Sequence, residues 1–216
     1  MIILGLTGSI GMGKTVAAGM LRRLGVPVHD SDAVVHRLIG RGGAAIAQIE
    51  RAFPGVVQNG AVVRELLGQR VFNDRPALLR LEALLHPLVW EAERRFLGVA
   101  ARDRCKLVVL DVPLLFETRG EQRVDAVVVV TAPAFIQRQR VLARPGMTAQ
   151  RLTAIQARQV PDCDKRRRAD FIVETGLGRA FSFRKLSAIM SRLARRRGRH
   201  WPPPSYRPQG LRRPVV

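Results

Sequence analysis

The sequence predicts an α/β fold in which helices cover both faces of a parallel sheet. Three observations carry that prediction. Short apolar runs rich in β-branched residues recur along the 216 residues, and helical stretches lie between them. The first run passes directly into a glycine-rich turn and then an amphipathic helix, the order expected of a strand, a tight loop and a helix in a parallel sheet.

Taken in order, residues 2–6 form an apolar run suited to a strand buried on both faces. The helix over 15–24 follows, with Ala17, Met20, Leu21 and Leu24 on one face and Gly25 placed for a left-handed C-terminal cap. Val26-Pro27-Val28 reads as a short second strand. Pro76 suits the first turn of a further helix, with Asn73 or Asp74 to cap it. Leu78, Leu79, Leu81, Leu84 and Leu85 give that helix a broad apolar face. Pro87 lacks a backbone donor, so a break or kink is expected at His86, with a second helix from Leu88 toward Ala101. The runs 107–110 and 126–130 are strongly strand-like, and Phe171-Ile172-Val173 is a weaker third. Residues 133–168 are helical and arginine-rich, interrupted at Pro145-Gly146.

A chain of this length can bury a sizeable core as one domain with insertions, and its 47% apolar content suits a globular protein. No apolar run approaches the roughly 18–20 residues of a membrane span, and no basic leader precedes the first strand. A cytoplasmic location without membrane association is expected. Cys105 and Cys163 lack histidine partners at metal-ligand spacing and read as reduced thiols. The net charge of +20 is unevenly spread. No acidic residue follows Glu174, and the basic residues from Arg179 to Arg213 account for about half of it. The rest of the surplus suits a cleft that concentrates polyanionic substrates. With aromatic residues at 5% and scattered, the stacking surface of a single-strand nucleic-acid binder is missing. No specific nucleic-acid partner is expected. Residues 195–216, basic and proline-rich without apolar periodicity, are expected to form a disordered tail.

The turn after the first strand, Gly8-Ser9-Ile10-Gly11-Met12-Gly13-Lys14-Thr15, matches the phosphate-loop pattern G-x-x-x-x-G-K-[ST] without a gap. Gly8, Gly11 and Gly13 let the backbone approach anionic oxygens, and successive amides including those of Met12 and Val16 point toward them. The start of the helix adds its positive dipole end. Lys14 brings a mobile charge to the β- and γ-phosphates, and the Thr15 hydroxyl is a candidate Mg²⁺ ligand. Lys14-Thr15 has no role in a dinucleotide fingerprint, so the site is one for a nucleoside triphosphate.

Asp30 and Asp32 follow the second strand, where open α/β sheets bind ligands. Either could accept a proton from an attacking hydroxyl or help hold the metal; alternatively Asp30, Ser31 or Asp32 caps a helix beginning at Ala33. Asp111 ends the run 107–110 and is a candidate metal residue. Glu117 and His86 are weaker candidates, His86 for substrate contact.

With these residues placed, the chain resembles the dephospho-CoA kinases. The resemblance rests on residues 5–15, then Asp30-Ser31-Asp32, Leu85-His86-Pro87-Leu88 and Asp111-Val112-Pro113-Leu114-Leu115-Phe116-Glu117. Arg140-Val141-Leu142-Ala143-Arg144, Gln159 and residues 165–170 complete it, over roughly 1–176. It implies a P-loop NTPase three-layer fold with a helical acceptor-binding insertion and a helical lid. The nucleotide-binding core would comprise 1–32, 104–134 and 169–194, the insertion 33–103 and the lid 135–168. It further implies transfer from ATP, with Mg²⁺, to the ribose 3′-hydroxyl of dephospho-CoA, by a monomer. Asp32 would be the base, Asp30, Arg37 and His86 would serve the acceptor, and Arg140 and Arg144 would clamp phosphate oxygens. Ser31 departs from the family's usual alanine, and Glu174-Thr175-Gly176 departs from its Asn-x-Gly. Two rivals remain: another small-molecule or nucleoside monophosphate kinase of this fold, and a basic nucleic-acid-binding P-loop protein.

Overall fold

The computed structural model describes residues 1–72 and 74–202. Five parallel strands form the central sheet in the order β2-β5-β1-β6-β7. In chain order, β1 (Ile2–Thr7) leads through the glycine loop into α1 (Lys14–Arg23), and β2 (Val28–Asp30) leads into α2 (Ser31–Ile39). An insertion follows: α3 (Ile46–Ala52), the small hairpin β3 (Val57–Gln58) and β4 (Ala61–Val62), α4 (Arg64–Val71) and the long α5 (Arg75–Arg102). The chain returns to the sheet at β5 (Leu107–Asp111) and β6 (Ala126–Thr131). Helices α6 (Ala134–Leu142), α7 (Ala149–Ala157) and α8 (Asp162–Arg167) come next, then β7 (Phe171–Glu174) and α9 (Arg179–Leu193).

The continuous burial of β1, β5 and β6 is why those segments read as unbroken apolar runs: a parallel sheet is covered on both faces. Alternate side chains feed two cores. Leu4, Leu6 and Val128 pack with Leu21 of α1 and Leu186 of α9, whereas Ile3, Val108 and Val127 pack with Leu97 of α5 and Phe116. Each fully buried leucine contributes roughly 1.5–3 kcal/mol. The insertion has its own core of Ile39, Ile49, Phe53, Leu67 and Leu81.

Three expectations are corrected. Pro87 does not end a helix: α5 is continuous over 28 residues that include it. Ala83 and Pro87 both lie exposed, so the carbonyl that Pro87 cannot satisfy faces water. The helix is meanwhile held at both ends, by Ala77 and Leu81 in the insertion core and by Leu97 and Ala100 in the sheet core. Packing therefore outweighs the missing hydrogen bond. Asp74 supplies the cap, accepting from Ala77 N at 2.9 Å; Asn73 lies outside the described residues. Second, β2 begins at Val28 rather than Val26 and reaches Asp30, which pairs with Asp111 across the sheet. Third, the tail is ordered where it begins. Beyond α9, the amides of Arg199 and His200 donate to Asp125, and Trp201 packs on the core beneath α5. Residues 203–216 lie outside the described residues.

Candidate active site

The loop between β1 and α1 sits at the C-terminal end of the middle strand. Gly11 and Gly13 have φ of 77° and 87°, left-handed values that glycine adopts without a steric penalty. Gly8 has no room for a side chain, since a Cβ there would lie 2.5 Å from Val130. Met12 turns its side chain into the core, where its sulfur accepts from Ala132 N at 3.1 Å, leaving its backbone at the loop. Thr15 and Val16 are exposed toward a cavity of about 550 Å³ that the loop floors. Asp32, Arg140, Arg144 and Thr175 also line that cavity.

The charged centre is compact. Lys14 Nζ lies 2.7 Å from Asp111 Oδ1 and 3.9 Å from Asp32 Oδ2. The two carboxylates differ in environment: the Asp111 side chain is 3% exposed and that of Asp32 is 64% exposed. Burial pushes the Asp111 carboxyl above the usual aspartate value, while the Lys14 ammonium and its hydrogen bond pull the other way. Asp32 sits in the first turn of α2, where a carboxylate is favoured by the helix dipole, and the capping role belongs to Asp30, which accepts from Ala33 N at 3.0 Å.

Arg140 is pinned to the floor of the cavity. Its guanidinium donates to Thr175 Oγ1 and to the Thr175 carbonyl, both at 2.9 Å. Thr175 Oγ1 in turn donates to Met12 O at 2.8 Å. Thr175, seen in the sequence only as a departure, is thus a strut beneath the loop. Gln137 was equally silent, and Gln159 entered only through the family resemblance. Gln137 Nε2 donates to Ile10 O at 2.8 Å, Gln159 Oε1 accepts from Ile10 N at 3.1 Å, and Gln156 Nε2 donates to Gln137 Oε1 at 3.0 Å. No local pattern announces the two contacts with Ile10, because they join positions more than 120 residues apart. Arg144 lines the cavity, and its side chain forms no hydrogen bond or ion pair among the described residues.

Four predicted residues stand elsewhere. Asp30 and Arg37 line a groove at the outer edge of β2, with the buried His29 between α2 and α5. His86 lies midway along α5, stacked on Trp90 with ring centroids 5.8 Å apart, and does not line the loop cavity. Glu117 lies beneath the lid base, accepting from Val160 N at 2.8 Å and pairing with the fully buried Lys165 at 2.9 Å. It anchors the residue next to Gln159.

The donor set fits a divalent cation held largely by substrate. Among the described residues no three carboxylate, histidine or cysteine groups converge, so the chain offers no cage of its own. One buried carboxylate, Asp111, and the exposed Thr15 hydroxyl are what Mg²⁺ requires when phosphate oxygens and waters supply the remaining ligands. No helix among the described residues is long and apolar enough to cross a membrane.

The comparisons converge. The sequence profile of the dephospho-CoA kinase family matches residues 2–178. A dephospho-CoA kinase of Rhodospirillum rubrum is 56% identical over 201 residues, 93% of this chain and 95% of that protein. One of Paramagnetospirillum magneticum is 66% identical over 166 residues, 77% of this chain and 78% of that protein. Among solved structures, TT1252 of Thermus thermophilus superposes with a TM-score of 0.77 at 36% identity, covering 89% of this chain and 97% of that one. A dephospho-CoA kinase of Campylobacter jejuni, at 20% identity and a TM-score of 0.59 over 88% of this chain and 96% of its own, shares the fold.

Proposed function

The chain belongs to the dephospho-CoA kinase family, and from that premise we propose which side chains carry its reaction. The reaction is transfer of the ATP γ-phosphoryl group to the ribose 3′-hydroxyl of dephospho-CoA, giving CoA and ADP, the last step of CoA biosynthesis.

The observation that carries the assignment is the position of Asp32. Its exposed carboxylate stands at the cavity mouth, 3.9 Å from the ammonium of the phosphate-loop lysine. There it can accept the proton of the 3′-hydroxyl as the oxygen attacks phosphorus, while Lys14 leaves Asp111 for the phosphate oxygens. The amides of Gly11, Gly13, Lys14, Thr15 and Val16, with Gly8 opening the turn, hold the β-phosphate in the cradle of the loop, whereas the Met12 N–H donates to the Ser9 carbonyl at 3.1 Å. Arg140, fixed by Thr175, and the unpartnered Arg144 stabilise charge on the transferred group, and their closure limits hydrolysis. Thr15 and Asp111 would hold Mg²⁺ together with phosphates and water, and the ion would supply electrostatic neutralisation of the triphosphate.

The core of 1–32, 104–134 and 169–194 binds ATP, the insertion 33–103 binds the acceptor through Arg37 and His86 with Asp30 at the edge of the core, and 135–168 is the lid. The loop, acids and arginines of one chain suffice for these roles, which supports action as a monomer, and a cytoplasmic location belongs to the same reading.

A coupled ADP-release assay tests this, with Mg-ATP and dephospho-CoA, AMP, CMP or shikimate as acceptor. Turnover should be specific for dephospho-CoA and should fall by about 10²–10⁴-fold in Asp32→Asn, the usual contribution of a general base. Unchanged turnover in that variant would remove Asp32 from the chemistry.

A further inference from the structure

A second cavity, of about 640 Å³, opens between the insertion and the lid. That volume lies within the roughly 300–1,000 Å³ typical of ligand pockets. Gln69 and Phe72 come from the end of α4, and Met147, Arg151, Ile155 and Arg158 come from α7 and its flanks. Ile155 also lines the phosphate-loop cavity, so the two spaces meet at α7.

The wall is held in place by contacts between the two segments. Arg158 Nη2 donates to the Phe72 carbonyl at 2.9 Å, and its guanidinium lies 4.6 Å over the Phe72 ring. The ring is nonetheless 57% exposed, leaving most of its surface open to a ligand. Arg151 is steadied by the Gly146 carbonyl.

The geometry of the transfer restricts what this space can take. The attacking and leaving oxygens lie on opposite sides of the transferred phosphorus. The sheet order places the residues after β7, including Thr175 and Arg179, at one edge and Asp32, after β2, toward the other, with the loop between. ATP therefore extends from the loop toward the β7 edge, and the acceptor approaches from the β2 side, where the insertion faces the lid. Beyond its adenosine the acceptor carries a 5′-diphosphate and a long arm of hydrocarbon interrupted by amides. The second cavity offers matching chemistry: apolar faces on Phe72, Met147 and Ile155, a side-chain amide on Gln69 that both donates and accepts, and two guanidinium groups.

We propose that the cavity between α4 and α7 is the subsite for the pantetheine arm of dephospho-CoA. Phe72 and Met147 face its hydrocarbon, Gln69 faces its amides, and Arg151 and Arg158 face the diphosphate. This rests on dephospho-CoA being the acceptor. The arm would then bridge the insertion and the lid, so that a complete acceptor favours closure and one without the arm does not.

The test compares dephospho-CoA with AMP, which keeps the adenosine and lacks the arm. With the donor site saturated by a non-hydrolysable ATP analogue, calorimetry gives Kd for dephospho-CoA, and displacement gives Kd for AMP. Phe72→Asp, and independently Met147→Asp on the opposite wall, should each reduce the preference for dephospho-CoA over AMP by about tenfold, the discrimination a lost apolar contact gives. A preference that stays within about twofold of wild type in both variants, whether both ligands weaken together or neither does, overturns the subsite. Thermal melting and binding of the ATP analogue identify a misfolded variant, in which case the other wall decides. Wild type that turns over another acceptor and not dephospho-CoA would overturn the functional reading itself; an unchanged preference in an enzyme active on dephospho-CoA overturns only the subsite.

Discussion

The side-chain oxygen of Gln159 accepts the N–H of Ile10 at 3.1 Å, tying the segment between α7 and α8 to the crown of the phosphate loop. Gln137 holds the other side of the same residue, donating to its carbonyl at 2.8 Å. In a trans peptide the carbonyl and the following N–H point in opposite directions, so a donor fixed on Ile10 O aims the Gly11 N–H away from α6. The lid helices thereby set the direction of a cradle amide. Gln137→Glu replaces that donor with an acceptor facing a carbonyl and should raise KM for ATP by about tenfold, the loss of one buried hydrogen bond plus a repulsion. Gln156→Ala, which removes only the outer bond to Gln137, should have a smaller effect. Initial-rate kinetics at saturating acceptor decide it, and equal effects from the two variants would argue against the relay.

The environment of Asp111 makes a separate claim about pH. Burial raises its proton affinity above that of an ordinary aspartate, 3.8, even with Lys14 alongside. A raised carboxyl protonates early as the solution is acidified, and the protonated form neither holds a cation nor orients Lys14. The acid limb of kcat/KM should therefore begin above the pH at which an exposed aspartate would titrate. Asp111→Asn should abolish that limb and raise the magnesium needed for half-maximal activity by about 10–100-fold. A pH profile of the variant parallel to wild type would place the acid limb on another group.

How much of this was legible beforehand follows a physical division. The loop, α1, β5 and β6 are written locally, because strand burial on both faces leaves unbroken apolar runs and a phosphate cradle needs its residues at fixed spacing. Asp32 and Asp111 were legible for the same reason, as both stand at strand ends. Pro87 was misread because helix continuity there is decided by the two cores that α5 joins, which no window around position 87 contains. Thr175, Gln137 and the Arg158–Phe72 clasp were illegible because each acts across the fold on a backbone group, and backbone groups carry no sequence signal. The docking of Arg199 and His200 was hidden in the same way, under a composition that reads as disorder.

His29 links stability to pH near neutrality. It is 6% exposed on β2, its Nε2 has no hydrogen-bond partner, and its ring lies 5.2 Å from that of Phe96. Burial, reinforced by Arg37, lowers its pKa below the usual 6.5, against the smaller opposing effect of Asp30. The folded protein thus binds this proton less readily than the unfolded chain, so stability is full above the unfolded value and declines as pH falls through about 6.5. His29→Leu should flatten the urea-denaturation free energy between about pH 5 and 7 while wild type loses stability over that interval. A slope that persists in the variant would assign the effect elsewhere.

Asp125 makes a linkage of the same sign in a more acidic range. One carboxylate oxygen accepts Ile3 N at 2.7 Å, and the other accepts the amides of Arg199 and His200 and contacts the His200 ring at 3.0 Å. Burial alone would raise its pKa, but these donors together outweigh burial and hold it below the usual 3.8. A carboxyl lowered by folding stabilises the native state above its unfolded pKa, and that contribution is lost as pH falls through the folded value. Asp125→Asn turns one acceptor into a donor facing an N–H and should cost about 1–3 kcal/mol at neutral pH, shrinking below about pH 4. If the carboxylate clasps the C-terminal segment to β1, removing that segment must change what Asp125 is worth. A chain ending at Arg197 keeps the Ile3 contact and lacks the other donors, so the same substitution should cost less there. A double-mutant cycle in urea measures the difference. Additive costs would mean that the segment rests against the core without being held by Asp125.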